Sequence, residues 1–213
     1  MNFSHEDLEN IILFDNNFSY KKIEKENSSS QIYIVNSNKG KIILKIISHK
    51  KEKDFKLIKQ TLSTLNKKNL NTPKLLFSKY MNSKSYFIFE YIEFEQITNI
   101  KKEIRQIFLT LNKFYDITSQ LDLQDTKYTI LEKAKTIRNE IKDHTLQNIF
   151  CNILFRREKE EKSPRIIISD INSSNFLLHK KQIFIIDFDD IDIGEIEVDI
   201  GDFLADFILN ESN

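Results

Sequence analysis

The chain has 213 residues, with 32 basic and 32 acidic side chains, so it can bury a full core as one large domain or two small lobes. Zero formal charge gives no global attraction to nucleic acid or an anionic membrane, and neither is expected as a partner. The single cysteine, Cys151, excludes an intramolecular disulfide and any multi-cysteine metal site.

The first residues lack a basic and apolar leader, and no run approaches the roughly 18 apolar residues of a membrane span, so a cytoplasmic location is expected. Residues 5–15 carry a short helical period (Leu8, Ile11, Ile12) behind a Ser4 cap with Asp7 three residues on. Phe18 to Glu24 reads as a strand, and Asn27 to Ser30 as a polar turn. Gln31 to Val35 is a second strand. Asn36 to Gly40 is a hairpin turn, with Gly40 where a positive φ is expected, and Lys41 to Ile47 is the third strand. Three consecutive hairpin-spaced strands make an antiparallel sheet.

Lys45 stands among Ile43, Leu44, Ile46 and Ile47. If it faces inward, its ammonium needs an anionic partner; if not, Lys41, Ile43 and Lys45 share a solvated face. Residues 51–66 form a helix with Phe55, Ile58, Leu62 and Leu65 on one stripe. Glu52 and Asp54 fall in its first turn, where the dipole favours carboxylates, and either can instead point at Lys45. After Thr72-Pro73, Lys74 to Tyr80 and Tyr86 to Tyr91 are two further strands joined by Met81 to Lys84.

Past Ile92 the pattern becomes helical. Residues 99–119 form an amphipathic helix with the stripe Ile104, Phe108, Leu111 and Tyr115, expected to face a core. Tyr128 to Phe155 holds one or two more helices, with Cys151 as a buried packing residue. Arg156 to Lys162 is a solvated loop ended by Ser163-Pro164. The expected class is α+β, with domains 1–92 and 93–213.

The stretch from Ile166 to Asp206 carries the chemistry. Two apolar runs, Phe176 to Leu178 and Ile183 to Ile186, flank His179-Lys-Lys-Gln182 and read as a β-hairpin. Asp170 and Asn175 lie before its first strand and Asp187 after its second, so the three are expected to converge at the open mouth. Two carboxylates and an amide there supply hard-oxygen ligands and a spare base, which suits Mg²⁺-assisted phosphoryl transfer. Each also has a plain reading: Asp170 as a turn cap, Asn175 in an Asx-type bond, Asp199 as the cap of the last helix. Their occurrence in order carries the functional one.

These residues resemble the protein-kinase-like fold. Ile186-Asp-Phe-Asp-Asp-Ile-Asp-Ile-Gly194 and Val198-Asp-Ile-Gly-Asp-Phe-Leu-Ala205 most resemble the aminoglycoside phosphotransferase and choline kinase-like small-molecule kinases. The order of elements is similar over most of the chain, the motifs over residues 166–206. The resemblance implies two lobes: a five-stranded antiparallel sheet with a helix, then a mostly helical lobe with a catalytic β-hairpin. It implies ATP and Mg²⁺ as cofactors and a hydroxyl of a small polar or cationic metabolite, or an aminoglycoside-like compound, as acceptor. The expected state is monomer or homodimer.

Residue by residue, the resemblance makes Asp170 the catalytic base. Asn175 and Asp187 become Mg²⁺ ligands, with Asp189 and Asp190 supporting the metal or meeting a basic acceptor. Lys45 would bind the α- and β-phosphates, fixed by Glu52 or Asp54. Glu90, Tyr91 and Ile92 would offer backbone groups to a purine, and Ser28, Ser29 and Ser30 would cover the phosphates. There are departures. Ile168-Ser169 stand where the family has His-Gly, and the covering turn lacks glycine. The chain also stops at Asn213, soon after the Asp199 helix, so a minimal acceptor-binding part is expected. Ile168 and that brevity favour an alternative, a degenerate kinase-like binding module; Asp-Ile-Asn-Ser-Ser-Asn has some likeness to compact atypical protein kinases. Retention of Lys45, Asp170, Asn175 and Asp187 favours the enzyme.

Overall fold

The computed structural model describes residues 18–23, 30–38, 40–48, 51–121 and 165–211, the last five as backbone only. The expected helix at 5–15, Ser28 and Ser29 of the covering turn, the helices between Tyr128 and Phe155 with Cys151, and the charged run from Arg156 lie outside the described residues. The chain forms two compact units, residues 1–97 with 177–189 and residues 98–176 with 190–213. The change of pattern near residue 93 thus falls just inside the first unit, which also takes in most of the hairpin.

In the first unit, β1 (Ser19–Ile23), β2 (Ser30–Ser37), β3 (Gly40–Ser48), β4 (Leu75–Met81) and β5 (Lys84–Glu90) form one antiparallel sheet in the order β1-β2-β3-β5-β4. Gly40 takes the expected positive φ, +111°, which frees the chain to reverse between β2 and β3. Period-2 alternation sends Tyr33, Val35, Leu44, Ile46, Tyr86 and Ile88 into one cluster. The register sets Ile32, Lys45 and Phe87 side by side on the opposite face. Helix α1 (Glu52–Lys67) buries the stripe Phe55, Ile58, Leu62 and Leu65, with the Phe55 ring 5.5 Å from that of Phe87. Each such side chain contributes about 1.5–3 kcal/mol on leaving water.

A second, three-stranded sheet orders β6 (Glu95–Gln96), β8 (Phe176–His179) and β9 (Gln182–Ile185). The expected hairpin is therefore present. Its turn residues Lys180 and Lys181 both have positive φ, +50° and +64°, the geometry whose twist matches paired strands. The Ile185 amide donates to the Asn71 carbonyl at 3.0 Å, and Phe94 and Phe184 pack edge to face.

In the second unit, α2 (Ile100–Thr118) starts at Asn99, whose side chain accepts from the Lys102 amide at 3.0 Å. Its buried face keeps Leu111 and Tyr115 of the expected stripe and adds Ile107, Phe114 and Thr118, while Ile104 and Phe108 are half-buried. Apolar residues lie all along this helix at overlapping spacings, so periodicity alone does not fix the centre of the buried face. Strands β7 (Arg165–Ile167) and β10 (Asp192–Gly194) pair antiparallel, and α3 (Ile196–Glu211) follows. Phe203 on α3 is fully buried, with its ring 5.5 Å from Phe176 and 5.7 Å from Phe108. No helix among the described residues is long and apolar enough to cross a membrane.

Candidate active site

Strand pairing fixes Lys45 in the first unit. It lies mid-strand between Ile32 and Phe87 and is 7% exposed, so its ammonium cannot be left to water. The partners come from beyond β9: Nζ lies 2.7 Å from Asp187 Oδ1 and 2.7 Å from Asp189 Oδ1. The Ser30 hydroxyl also bonds Asp189. Burial alone would lower the Lys45 pKa, but the charges of Asp189 and Asp187 and their hydrogen bonds outweigh it, and the pKa is raised.

Asp189 is pushed up by its own burial and by the neighbouring Asp187 charge, against the attraction of Lys45. One ammonium thus faces two carboxylates, the buried Asp189 and the half-buried Asp187, an excess of carboxylate groups over cations. That excess, on hard oxygen donors, fits a divalent cation such as Mg²⁺. Asp187 itself holds φ +67°, a conformation costing a non-glycine residue about 1–3 kcal/mol and concentrated at functional sites.

The choice between Glu52 and Asp54 as partner of Lys45 is corrected: neither takes it. Glu52 pairs with Lys56 one turn on at 2.9 Å, and the Asp54 carboxylate accepts from the Lys51 amide at 2.9 Å, capping α1. The dipole and the cap had first claim on both carboxylates. Glu90 is tied to Lys74, its amide donating to the Lys74 carbonyl at 3.0 Å and its Oε1 accepting from the Lys74 amide at 2.9 Å. Tyr91 lies under the Lys41 ammonium, 5.2 Å from the ring centre, and Ile92 is half-buried.

The second unit holds the loop Ile168 to Asn175. Strand β7 delivers Ile168 and Ser169 to the side of α3, where Asp199 is fully buried. Asp199 Oδ2 accepts from the Ile168 amide at 2.8 Å and from the Tyr115 hydroxyl at 2.9 Å, and Oδ1 accepts from the Ser169 amide at 2.8 Å. Three donors satisfy one buried carboxylate. Burial still raises its pKa against those bonds, and burial followed by the Asp199 charge raises that of the Tyr115 hydroxyl.

Asp170 follows with its side chain exposed. Asn172 caps a 3₁₀ turn, Ser173–Asn175, by accepting from the Ser174 amide at 3.0 Å. Asn175 is buried, and its amide oxygen accepts from the Asn172 amide at 2.8 Å. This is the Asx-type bond of its plain reading, yet that oxygen has a second lone pair for a metal. Asp206 accepts from the Ser173 amide at 2.7 Å. Asp202, one turn from Asp199, is raised by the burial it has and then by the Asp170 charge. One face of α3 therefore grips the loop.

Sequence reasoning missed two of these groups. Asp199 is a strut inside α3 rather than its cap, and Tyr115 is more than a stripe residue. The signals were an Asp within the apolar run Val198 to Phe203, and a tyrosine on a buried stripe, whose hydroxyl must find an acceptor. Among the described residues, no three His, Cys, Asp or Glu side chains gather as a metal cage.

Solved structures share this fold. An amicoumacin kinase, hAmiN, in complex with AMP-PNP, Ca²⁺ and Ami superposes with a TM-score of 0.71 at 14% identity over 88% of this chain and 64% of that one. Aminoglycoside phosphotransferase APH(4)-Ia gives 0.62 at 12% identity over 91% and 72%. Spectinomycin phosphotransferase APH(9)-Ia, in complex with ADP and its antibiotic, gives 0.56 at 15% identity over 92% and 70%. The protein thus spans less than two thirds of the amicoumacin kinase's length. A sequence search of curated proteins finds no match. At these identities the likeness establishes the protein-kinase-like α+β fold. Residues 19–212 match the model of the phosphotransferase enzyme family, and the chain belongs to that family.

Proposed function

We propose that the protein is a cytoplasmic, ATP- and Mg²⁺-dependent phosphotransferase that moves the γ-phosphoryl group of ATP to a hydroxyl of a small polar molecule. The observation that carries this reading is Lys45, a buried ammonium held by two carboxylates, one of them 142 positions along the chain. Family membership and the kinases and phosphotransferases of like fold support it.

In this reading Lys45 moves from its carboxylates to phosphate oxygens of the nucleotide. Asp187 and Asp189 would hold the metal, with the Asn175 amide oxygen as the further ligand that the family resemblance implies. Mg²⁺ supplies charge neutralisation on the β- and γ-phosphates. Tyr91, Ile92 and Glu90 would border the purine, and Ser30 would cover the phosphates. Asp170 orients the acceptor hydroxyl and takes its proton as the acceptor oxygen bonds phosphorus and the bond to the ADP oxygen breaks. The transition state is loose, so Asp170 acts mainly by positioning. Amine-bearing alcohols are the first acceptors to try, because Asp202 and Asp170 place two carboxylates within electrostatic reach of each other.

Thermal unfolding with ATP and Mg²⁺ tests the nucleotide site. A ligand at a hundredfold excess over its Kd stabilises by about 2.7 kcal/mol, and Asp187→Ala is expected to abolish the gain. ADP formation over a panel of hydroxyl compounds, with Asp170→Asn as the inactive control, tests the transfer. A protein without any metal-dependent shift is a binding module instead, and the kinase reading fails.

A further inference from the structure

Ser169 is the residue just before Asp170, and it stands at φ +68°, in the left-handed region where a side chain is disfavoured. Nothing about a serine holds that conformation by itself. The chain on both sides must be gripped. The grip is visible: the amides of Ile168 and Ser169 donate to the two different oxygens of Asp199, at 2.8 Å each. For both bonds to form, the carboxylate plane must hold one rotation about its χ2 angle, a soft torsion. The Tyr115 hydroxyl, donating at 2.9 Å to Oδ2, fixes that rotation and adds the third donor a buried carboxylate requires. Tyr115 comes from α2, 84 positions from Asp199, so the contact is tertiary and not an accident of local sequence.

We propose that the Tyr115 hydroxyl is a positioning group for Asp170: by locking the Asp199 carboxylate it keeps Ser169 in its left-handed conformation and so sets where the next side chain points. The inference rests on the reading of Asp170 as the base that orients the acceptor, but the clamp itself is a property of the second unit and can be measured without any turnover. Its logic also specifies a rescue. A glycine at 169 takes a positive φ freely, so the loop would keep its course with a weakened clamp. Tyr115→Phe should therefore matter when residue 169 is serine and matter little when it is glycine. A hydroxyl that merely fills space in the core has no such dependence.

The test is amide hydrogen exchange by NMR on the full chain for wild type, Tyr115→Phe, Ser169→Gly and the double variant. Protection of the Ile168 and Ser169 amides is expected to fall about tenfold in Tyr115→Phe, the effect of losing one partner in a buried network. Amides in the middle of α2 and β3 should be unchanged. In the Ser169→Gly background the same substitution should lower protection of the Ile168 amide less than about threefold. Equal loss across the whole second unit, unchanged protection at residues 168 and 169, or a tenfold loss that persists with glycine at 169 would each overturn the proposal. A kinetic arm separates it from the kinase reading. If wild type forms ADP from MgATP, Tyr115→Phe should lower kcat about tenfold at unchanged KM for ATP, with Ser169→Gly restoring most of it. An inactive wild type would remove the kinase reading and leave the clamp to be decided by exchange alone.

Discussion

Lys45 shows how a single side chain changes meaning with its partners. Mid-strand among isoleucines it reads equally well as a solvated lysine or an anchored one, because a period of 2 fixes the face and not what covers it. The ion pairs with Asp187 and Asp189 decide the matter. Replacing it by methionine leaves the buried Asp189 and the half-buried Asp187 uncompensated and is expected to cost about 3 kcal/mol at neutral pH, read from denaturant unfolding, and to remove the MgATP-dependent rise in Tm that the proposed function entails.

Asp199 gives a pH signature at the same scale. Its pKa in the fold is raised by burial, so above the ordinary carboxylate value the folded chain still holds a proton that the unfolded chain has released. The native state then binds more protons, and stability falls as pH rises through the window from the unfolded to the raised folded pKa. The stability advantage of wild type over Asp199→Asn should shrink from about pH 4 upward until the raised value is passed. Urea midpoints across that range check the sign, and a growing advantage would contradict it.

At the scale of elements, the strands and helices were legible wherever apolar spacing and turn chemistry agreed. The stripe Phe55, Ile58, Leu62 and Leu65 is buried as read, and the hairpin at residues 176–185 sits within a residue of its expected bounds. The reading failed where two interpretations had the same spacing. The face of α2 shifted from Ile104 and Phe108 to Ile107 and Phe114, and Glu52 and Asp54 stayed with their own helix. Short strands such as β6 and β7 carry too few residues to show a period at all.

The hairpin turn offers a direct test. Lys180 and Lys181 occupy two left-handed positions that asparagine and glycine fill at less strain. The double change Lys180→Asn, Lys181→Gly should stabilise by about 1 kcal/mol and raise Tm by a few degrees; a fall would mean the turn has another geometry in solution. On α3, Phe203→Ala should cost about 3–5 kcal/mol, since its ring bridges Phe176 and Phe108 in a full core.

At the scale of the molecule, the sequence offered a candidate site as a set of residue types in order. What sequence could not supply was the pairing of groups distant along the chain, from 30 positions for Ser169 and Asp199 to 142 for Lys45 and Asp187. Asp-x-x-x-x-Asn and Ile-Asp-Phe-Asp suggested the chemistry proposed above; that Asp187 and Asp189 reach Lys45, and that Asp199 holds the Asp170 loop, are consequences of chain path. The path also makes a prediction. A fragment of residues 1–97 lacks Leu177–Asp189 and with it β8, β9 and both counter-charges of Lys45. It should fail to give a cooperative unfolding transition, whereas the full chain gives one.

The first unit takes its last thirteen residues, 177–189, from late in the polypeptide. On the ribosome, residues 1–97 emerge well before Leu177–Asp189, so β6 waits for β8 and β9, and Lys45 for its two acids. Until then Lys45 stands in its strand without the two acids that neutralise it. Holding factors and proteases have their opportunity during this interval, so the yield of native protein should respond to elongation speed more than to the finished fold's stability.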